Sequence, residues 1–512
     1  MGEPWTTKLR DWQTRAVQHA LTRSGQDFLC MATPAAGKTR FALRVAHQYL
    51  SDRAAHRIVV VCPTNHLRGQ WARTAGAVGI QLDPALTNER TAEARDYHGC
   101  VLTYQQVCQA PQVFARACEQ RKTLVILDEL HHAGDGKEWG TALKAAFHLA
   151  VFRLALSGTP FRSDNHPIPF VRYERKVSRT DFAYGYSEAI RDGVCRPIYF
   201  PSYEGELTWK SGGITHQATF ADELSDQGQH ERLKTALLQE NWLGQVLLDA
   251  NAKLTEIRAA GHPDAGGLII TMNQDHARKV AALVQRVTGT PASIAISDDP
   301  AASASIDAFA KLQRRWLVAV NMVSEGVDIP RLRVGVYATN VSTDMYFRQV
   351  VGRFVRMQLG VASPQRAWLY LPKDPALVEY AQAIKAERDH VLRGAAAGER
   401  DFFGERPAGR SEYEAVSGVA RQDRLIGDHD EMSANTEVAE ETPQSLHQQK
   451  DDLRGLHRTL VGVVARKTGA DHRTINGALC RQTGGPIDRA TMAQLKKRLW
   501  LLETWKDAGR IG

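Results

Sequence analysis

Gly37-Lys38-Thr39 closes the stretch MATPAAGKTR (31–40), and a permissive residue, a cation and a hydroxyl in that order suit the grip of a phosphate chain. The stretch follows an apolar run, Phe28-Leu29-Cys30-Met31, and precedes RFALRVAHQYL, whose apolar residues recur at helical spacing. Backbone N–H groups at such a helix start can hold β- and γ-phosphates, while Lys38 neutralises their charge and Thr39 offers its hydroxyl to magnesium. Ala32 stands where the usual G-x-x-x-x-G-K-[ST] spacing has its first glycine, so the trio alone also fits a chance turn.

A second acidic feature bears on that choice. In VILDELHHAGD (125–135), Asp128 and Glu129 directly follow an all-apolar strand, at the carboxyl edge where parallel sheets bind ligands. Asp128 there would hold magnesium through water, and Glu129 would polarise a water attacking the γ-phosphate. The competing reading is an Asp-Glu pair opening a helix. Lys38 lies ninety residues upstream in the same expected sheet, which favours the catalytic reading. His131, His132 and Asp135 lack the further Cys or His cluster that a zinc site needs.

Two series of elements must position these groups. Short β-rich runs at 58–62, 123–127 and 153–156 alternate with helical patterns, and a second series follows at 267–271, 292–296, 316–320, 334–338 and 367–371. That alternation predicts two parallel sheets covered by helices on both faces. The 512 residues, 43% hydrophobic, suffice for such cores, and the formal charge of +8 suits a polyanionic partner without demanding one. The seven cysteines show no C-x-x-C pairing, so neither disulfides nor zinc are expected. No signal peptide and no membrane-spanning run is visible, which points to a cytoplasmic protein without a membrane partner.

Taken in order from about residue 9 to 372, the motifs resemble superfamily 2 nucleic-acid helicases and translocases of the D-E-x-H branch, which includes type III restriction motor subunits and XPB-like helicases. LRDWQ (9–13) looks like the adenine-reading segment, with Gln13 as the reader. VVVCPTNHLRGQW (59–71) and VLTYQQ (101–106) resemble loops that touch the nucleic-acid backbone, which makes Pro63, Thr64, Arg68, Thr103 and Tyr104 contact candidates. LALSGTPFR (154–162) looks like the motif in which Ser157 and Thr159 couple the ATP site to the strand. NMVSEGVDIP (321–330) and YFRQVVGRFVRM (346–357) are similar to motifs V and VI. The resemblance implies nucleotide contacts at Thr33, Ala36, Gly37, Lys38, Thr39, Gly326 and Asp328, arginine fingers at Arg353 and Arg356, and an ATP-site contact at Gln349. ATP and Mg2+ are the implied cofactors, the metal held by Thr39 and Asp128. Most relatives carry glycine where Ala35 stands, and the S-G-T form of motif III tilts the expected substrate towards DNA, whether duplex, forked or branched.

The expected fold is therefore α/β, with two RecA-like parallel-sheet domains, a connector and a C-terminal basic helical module. Its expected divisions are an ATP-binding domain at 1–164, a connector with an extended hairpin near 197–209 at 165–230, a second RecA-like domain at 231–393, an acidic flexible linker at 394–455 and the module at 456–512. The module carries eleven Lys or Arg against four acids. Its basic face reads either as a DNA contact through Arg473, Lys496, Lys497 and Arg498 or as the solvated side of a bundle packed on the second domain. The expected activity is that of an ATP-dependent DNA helicase or double-strand translocase. The alternatives are the motor subunit of a restriction or defence complex, with a nuclease or repair subunit as partner, and a DNA-binding scaffold of weak ATP turnover.

Overall fold

The computed structural model of the chain describes residues 5–23, 25–89, 93–130, 137–158, 168–174, 177–296, 302–311, 313–320, 329–358, 360–361, 365–389, 413–418, 421–426 and 445–511. The first half runs α1 (Asp11–Thr22), β1 (Asp27–Ala32), α2 (Lys38–Ser51), β2 (Arg57–Cys62), α3 (Asn65–Gly76), β3 (Leu82–Asp83) and β4 (Gly99–Thr103). It continues through α4 (Tyr104–Gln109), α5 (Pro111–Gln120), β5 (Thr123–Asp128), α6 (Lys137–Phe147), β6 (Phe152–Ser157), β7 (Arg172–Glu174), β8 (Val177–Arg179), β9 (Phe182–Tyr184) and α7 (Tyr186–Arg191). Next come β10 (Ile198–Glu204), β11 (Leu207–Ser211), β12 (Ile214–Ala218), α8 (Asp226–Leu238), α9 (Glu240–Ala259), β13 (Gly266–Thr271), α10 (Gln274–Thr288), β14 (Ala292–Ala295) and α11 (Ala302–Lys311). The remainder is β15 (Trp316–Ala319), β16 (Leu332–Ala338), α12 (Asp344–Phe354), β17 (Ala367–Pro372), α13 (Pro375–Asp389), β18 (Tyr413–Gly418), β19 (Arg421–Ile426), α14 (Leu446–Thr468), α15 (His472–Thr483) and α16 (Met492–Ala508).

The strands that position the site are buried along their whole length. RIVVVC, TLVILD and FRLALS form β2, β5 and β6 without one exposed residue, which a sheet covered on both faces requires. The first sheet has the order β3-β4-β2-β5-β6-β1-β9, parallel throughout. Because β5, β6 and β1 are neighbours, the loops leaving their C-terminal ends face one another. The second sheet runs β14-β15-β13-β16-β17-β10-β19, parallel except for its edge strand β19. The expected α/β architecture of two parallel sheets and a helical C-terminal region is what the chain adopts.

Three features differ from the sequence expectations. Residues 197–209 do not form a hairpin: β10 pairs parallel with β17 inside the second sheet, and β11 turns instead into β12. The apolar β10 is better buried in a parallel sheet than in a two-stranded ribbon. The span expected as a flexible linker contains β18 and β19, which pair with β11 and β10, and the first turns of α14. The acidic stretch 428–441 lies outside the described residues.

The C-terminal module is a three-helix bundle around Val464, Ile475, Leu479 and Leu502, with Asp471 capping α15 and Thr491 capping α16. It packs on the first domain, where the bundle reading expects the second. Lys450 of α14 is fully buried, 2.6 Å from Asp96 and 4.1 Å from the centre of the Tyr97 ring, and the Met492 N–H donates to the same carboxylate at 2.9 Å. A buried ammonium needs such partners to offset its desolvation. Among the described residues no helix is long and apolar enough to cross a membrane.

Candidate active site

The loop between β1 and α2 turns through two left-handed residues, Ala35 at φ 70 and Gly37 at φ 96. Gly37 caps α2, which aims the first N–H groups of that helix into the turn. Helix α1 braces the loop from behind. Arg10 Nη1 and Trp12 Nε1 both donate to the Ala36 carbonyl, at 2.8 and 3.2 Å, and Gln13 Nε2 donates to the Gly37 carbonyl at 2.9 Å. The other end of the Gln13 amide accepts from Arg10 N, and the residue is 1% exposed. These bonds make Gln13 a brace of the loop, and the residue also lines the cleft described below. Thr33 donates its N–H to Tyr184 of β9, and Ala36 N–H returns to Thr33, closing the turn.

Ala35 carries a Cβ in a conformation that favours glycine. Ala35→Gly should therefore relieve roughly 1 kcal/mol of backbone strain, partly offset by the looser unfolded chain. Nucleotide affinity should stay level or rise severalfold, measured with a fluorescent ATP analogue beside a thermal melt. A fall in both would show that the loop depends on the alanine.

Lys38 opens α2 and reaches back over the turn. Its Nζ donates to the Ala32 carbonyl at 3.1 Å and lies 3.3 Å from Glu129 Oε1. Glu129 sits just past β5 at φ 50, and its Oε2 accepts the Gly158 N–H at 3.0 Å. A side chain on Gly158 would crowd Lys38 Nζ at 3.0 Å and Pro34 Cγ at 3.3 Å, so glycine there lets the two loops meet closely. Asp128, 8% exposed, accepts the Trp71 indole N–H on Oδ2 at 2.8 Å, and its carbonyl accepts the Tyr104 hydroxyl at 2.9 Å. The sequence does not single out Trp71. An aromatic in an amphipathic helix carries no signal of a partner 57 positions away.

Several of the expected nucleic-acid contacts have partners within the chain. Tyr104 is wholly buried on Asp128, and Thr103 is 8% exposed and caps α4 by accepting from Gln106 N. Arg68 donates to the Val101 and Leu86 carbonyls. Arg498 is 2% exposed, its Nε on Thr483 at 2.9 Å and its Nη2 on the Gly485 carbonyl. These side chains hold loops together through those bonds, and Arg68 remains half-buried. Pro63 lines the cleft described below, Thr64 stands at the N-cap position of α3 without a side-chain cap bond, and Arg473, Lys496 and Lys497 are exposed on the module. Ser157 is buried at the end of β6, next to the Gly158 amide that orients Glu129. Thr159, Gly326 and Asp328 lie outside the described residues, as do His131, His132 and Asp135.

The second domain supplies the opposite wall. Gln349, Gly352 and Arg353 lie on α12, and Arg356 follows its end, where its backbone bridges to Cys195. A cleft of about 1150 Å³ is lined on one side by Pro34, Gly37, Lys38, Thr39, Asp128 and Glu129 and on the other by Gln349, Gly352, Arg353 and Arg356. The walls touch: a Cβ on Gly352 would fall 2.3 Å from that of Pro34, and Cys195 Sγ lies 3.7 Å from the Pro34 carbonyl. The arrangement sets a cation and two carboxylates of one domain across from two guanidiniums of the other.

Residues 6–162 match the family model of the type III restriction enzyme res subunit. Over 555 aligned positions, covering 96% of this chain and 92% of the relative, the chain is 39% identical to the uncharacterized protein Rv2917 of Mycobacterium tuberculosis H37Rv. It is 23% identical to the DNA 3'-5' translocase XPB2 of Sulfurisphaera tokodaii, over 68% of this chain and 79% of that protein. Among solved structures, a fragment of a proposed HsdR subunit of a type I restriction enzyme from Vibrio vulnificus superposes with a TM-score of 0.51 at 17% identity, over 74% of this chain and 66% of that one.

Proposed function

The chain belongs to one family with its mycobacterial relatives, and we propose that it is a superfamily 2 helicase-like motor that hydrolyses ATP to drive a helicase or translocase cycle on DNA. One observation carries the reading: Lys38 and Glu129, 3.3 Å apart, share a single cleft with Arg353 and Arg356 of the other domain. Phosphoryl transfer is mainly positioning and charge stabilisation, so arginines delivered from a second domain act only when the domains close. Each turnover then couples to one closure, and repeated closure advances a grip along a strand.

The residues divide the chemistry. The loop amides and Lys38 hold the phosphate chain, and Glu129, oriented by the Gly158 amide, polarises the attacking water. Thr39 and Asp128 offer the hard oxygen donors that suit magnesium, with Trp71 fixing the carboxylate. The metal supplies neutralisation of the charge between β- and γ-phosphates. Arg353 and Arg356 stabilise the charge that develops on the transferred group, and Gln349 contacts the nucleotide beside them. Phosphate release measured with and without duplex DNA tests the reading. Stimulation by DNA is expected, and nucleotide binding without turnover would instead leave a scaffold.

The basic module is the proposed second DNA contact, through Arg473, Lys496 and Lys497. Deleting everything from residue 394 would also remove β18 and β19, so point substitution is the cleaner test. Replacing the three together by alanine should leave folding intact and flatten the log–log salt dependence of duplex binding by about 0.9 for each phosphate that the module ceases to neutralise. An unchanged slope in a well-folded variant would confine the module to its packing role on the first domain.

A further inference from the structure

The starting edge of the second sheet gathers buried positive charge. Strands β10, β13, β16 and β17 are parallel and begin there, and Arg196, His262, Arg331 and Arg333 stand at or just before those starts, at 0, 7, 5 and 2% exposure. Arg331 is fully spent: its guanidinium donates to the carbonyls of Asp264, Phe309 and Arg314. The others are not. Arg196 Nη2 reaches the Pro330 carbonyl and Arg333 Nε the Arg366 carbonyl. Among the described residues, Arg196 Nε and Nη1, Arg333 Nη1 and His262 Nδ1 have no hydrogen-bond partner.

Arg333 is placed there by a local irregularity. Gly266 pairs with Leu332 and Gly267 with Val334, so Arg333 is the extra residue of a bulge in a parallel pair. Bulges re-aim a side chain at a cost in pairing. Burial lowers the pKa of Arg196 and of His262, and in each case the Arg333 charge lowers it further, so the three groups feel one another. Asp264 is the carboxylate facing His262 and Arg333, and it is shared with Arg331 and with Gln358, whose Nε2 donates to it at 2.5 Å. Buried guanidinium N–H groups left unpaired cost free energy, and like charges in one place add to it.

We propose that Arg196, Arg333 and His262 form a second anion site, behind the cleft wall made by Pro330 and Asp264, that takes a tetrahedral oxyanion of the orthophosphate class. An oxyanion accepts several N–H groups at once and neutralises the repulsion, which no neutral ligand does. Arg196, Arg333 and His262 do not themselves line the cleft of the Lys38 loop; their neighbours Pro330, Arg331, Asp264 and Gln358 do, so the site lies one layer behind it. Phosphate could come from ATP turnover in that cleft or from solution. The binding claim rests on the nucleotide reading only for the first source.

Thermal melts in rising orthophosphate, with chloride at matched ionic strength as control, test the site without any turnover. Wild type should melt roughly 5 °C higher at phosphate a hundredfold above its dissociation constant. The same rise should persist in Lys38→Ala, which removes the phosphate loop's own contribution, and adding ADP to that variant should not displace it. Arg333→Met should abolish the rise and raise the melting temperature of the anion-free protein, because one buried like charge is gone. Arg196→Met should do the same. A phosphate-dependent rise that survives both substitutions overturns the proposal. So does a rise that disappears in Lys38→Ala, which would assign it to the loop after β1. Anion-free destabilisation or failure to fold in both methionine variants would make these guanidiniums structural, and the proposal would fall. A phosphate response with no ATPase in wild type would sink the motor reading while leaving the site standing.

Discussion

Glu129→Gln should leave nucleotide bound and nearly stop its turnover. Glu129 Oε2 accepts the Gly158 N–H and Oε1 faces Lys38 at 3.3 Å, so the carboxylate is held by one amide and one cation. Glutamine keeps the length and can still accept from Gly158 through its amide oxygen. It cannot accept a proton from water, and its NH2 group offers Lys38 no charge. Loss of a positioned general base costs typically 10² to 10⁴-fold, so multiple-turnover phosphate release should fall by about that factor. Affinity for a fluorescent ATP analogue should stay within severalfold, because the phosphate grip belongs to Lys38 and the loop amides. Turnover at the wild-type rate would remove Glu129 from the chemistry. A parallel collapse of binding would mean that the Glu129–Lys38 pair holds the loop in shape.

The parts of this site that are legible in the sequence are the local ones. Phe28 to Met31, the G-K-T trio and the helix after it lie within two dozen residues, and each announces its element by apolar spacing or by residue type. Asp128 and Glu129 follow a run whose burial on both faces is written in its β-branched and leucine content. What stays hidden depends on distance. Nothing near Trp71 names Asp128, and nothing near Gln13 says that its amide would be drawn into the Gly37 carbonyl. Arg498 misleads through composition: a cation in LKKRLWLL reads as solvated, yet its place between Leu495 and Leu502 turns it inward onto Thr483. Strands β18 and β19 lie in a polar span and owe their form to partners two hundred residues earlier. Local propensity is a weak guide to such edge strands, because pairing decides them.

Arg356→Ala should separate catalysis from strand binding. The residue follows α12, whose Gly352 is pressed against Pro34 of the loop after β1, so the cleft wall it belongs to is already in contact with the nucleotide side. Its backbone bridges to Cys195, and the neighbouring Val355 carbonyl accepts from Arg196 N at 2.8 Å; neither pairing uses the Arg356 side chain. Truncation at Cβ leaves both backbone pairings in place while deleting the guanidinium. An arginine supplied to the transferred phosphoryl group contributes about 10³ to 10⁵ in turnover, and a loss of about 10³-fold or more is the expected result, read by phosphate release at saturating ATP and DNA. Duplex affinity, measured by anisotropy at fixed salt, should remain within a few-fold of wild type. If affinity collapsed and turnover survived, the arginine would be a strand contact and the second domain would grip DNA where it is assigned to the nucleotide. If both survived, the stabilising charge would have to come from Arg353, in the last turn of α12, and the paired substitution would then be the one that stops the motor.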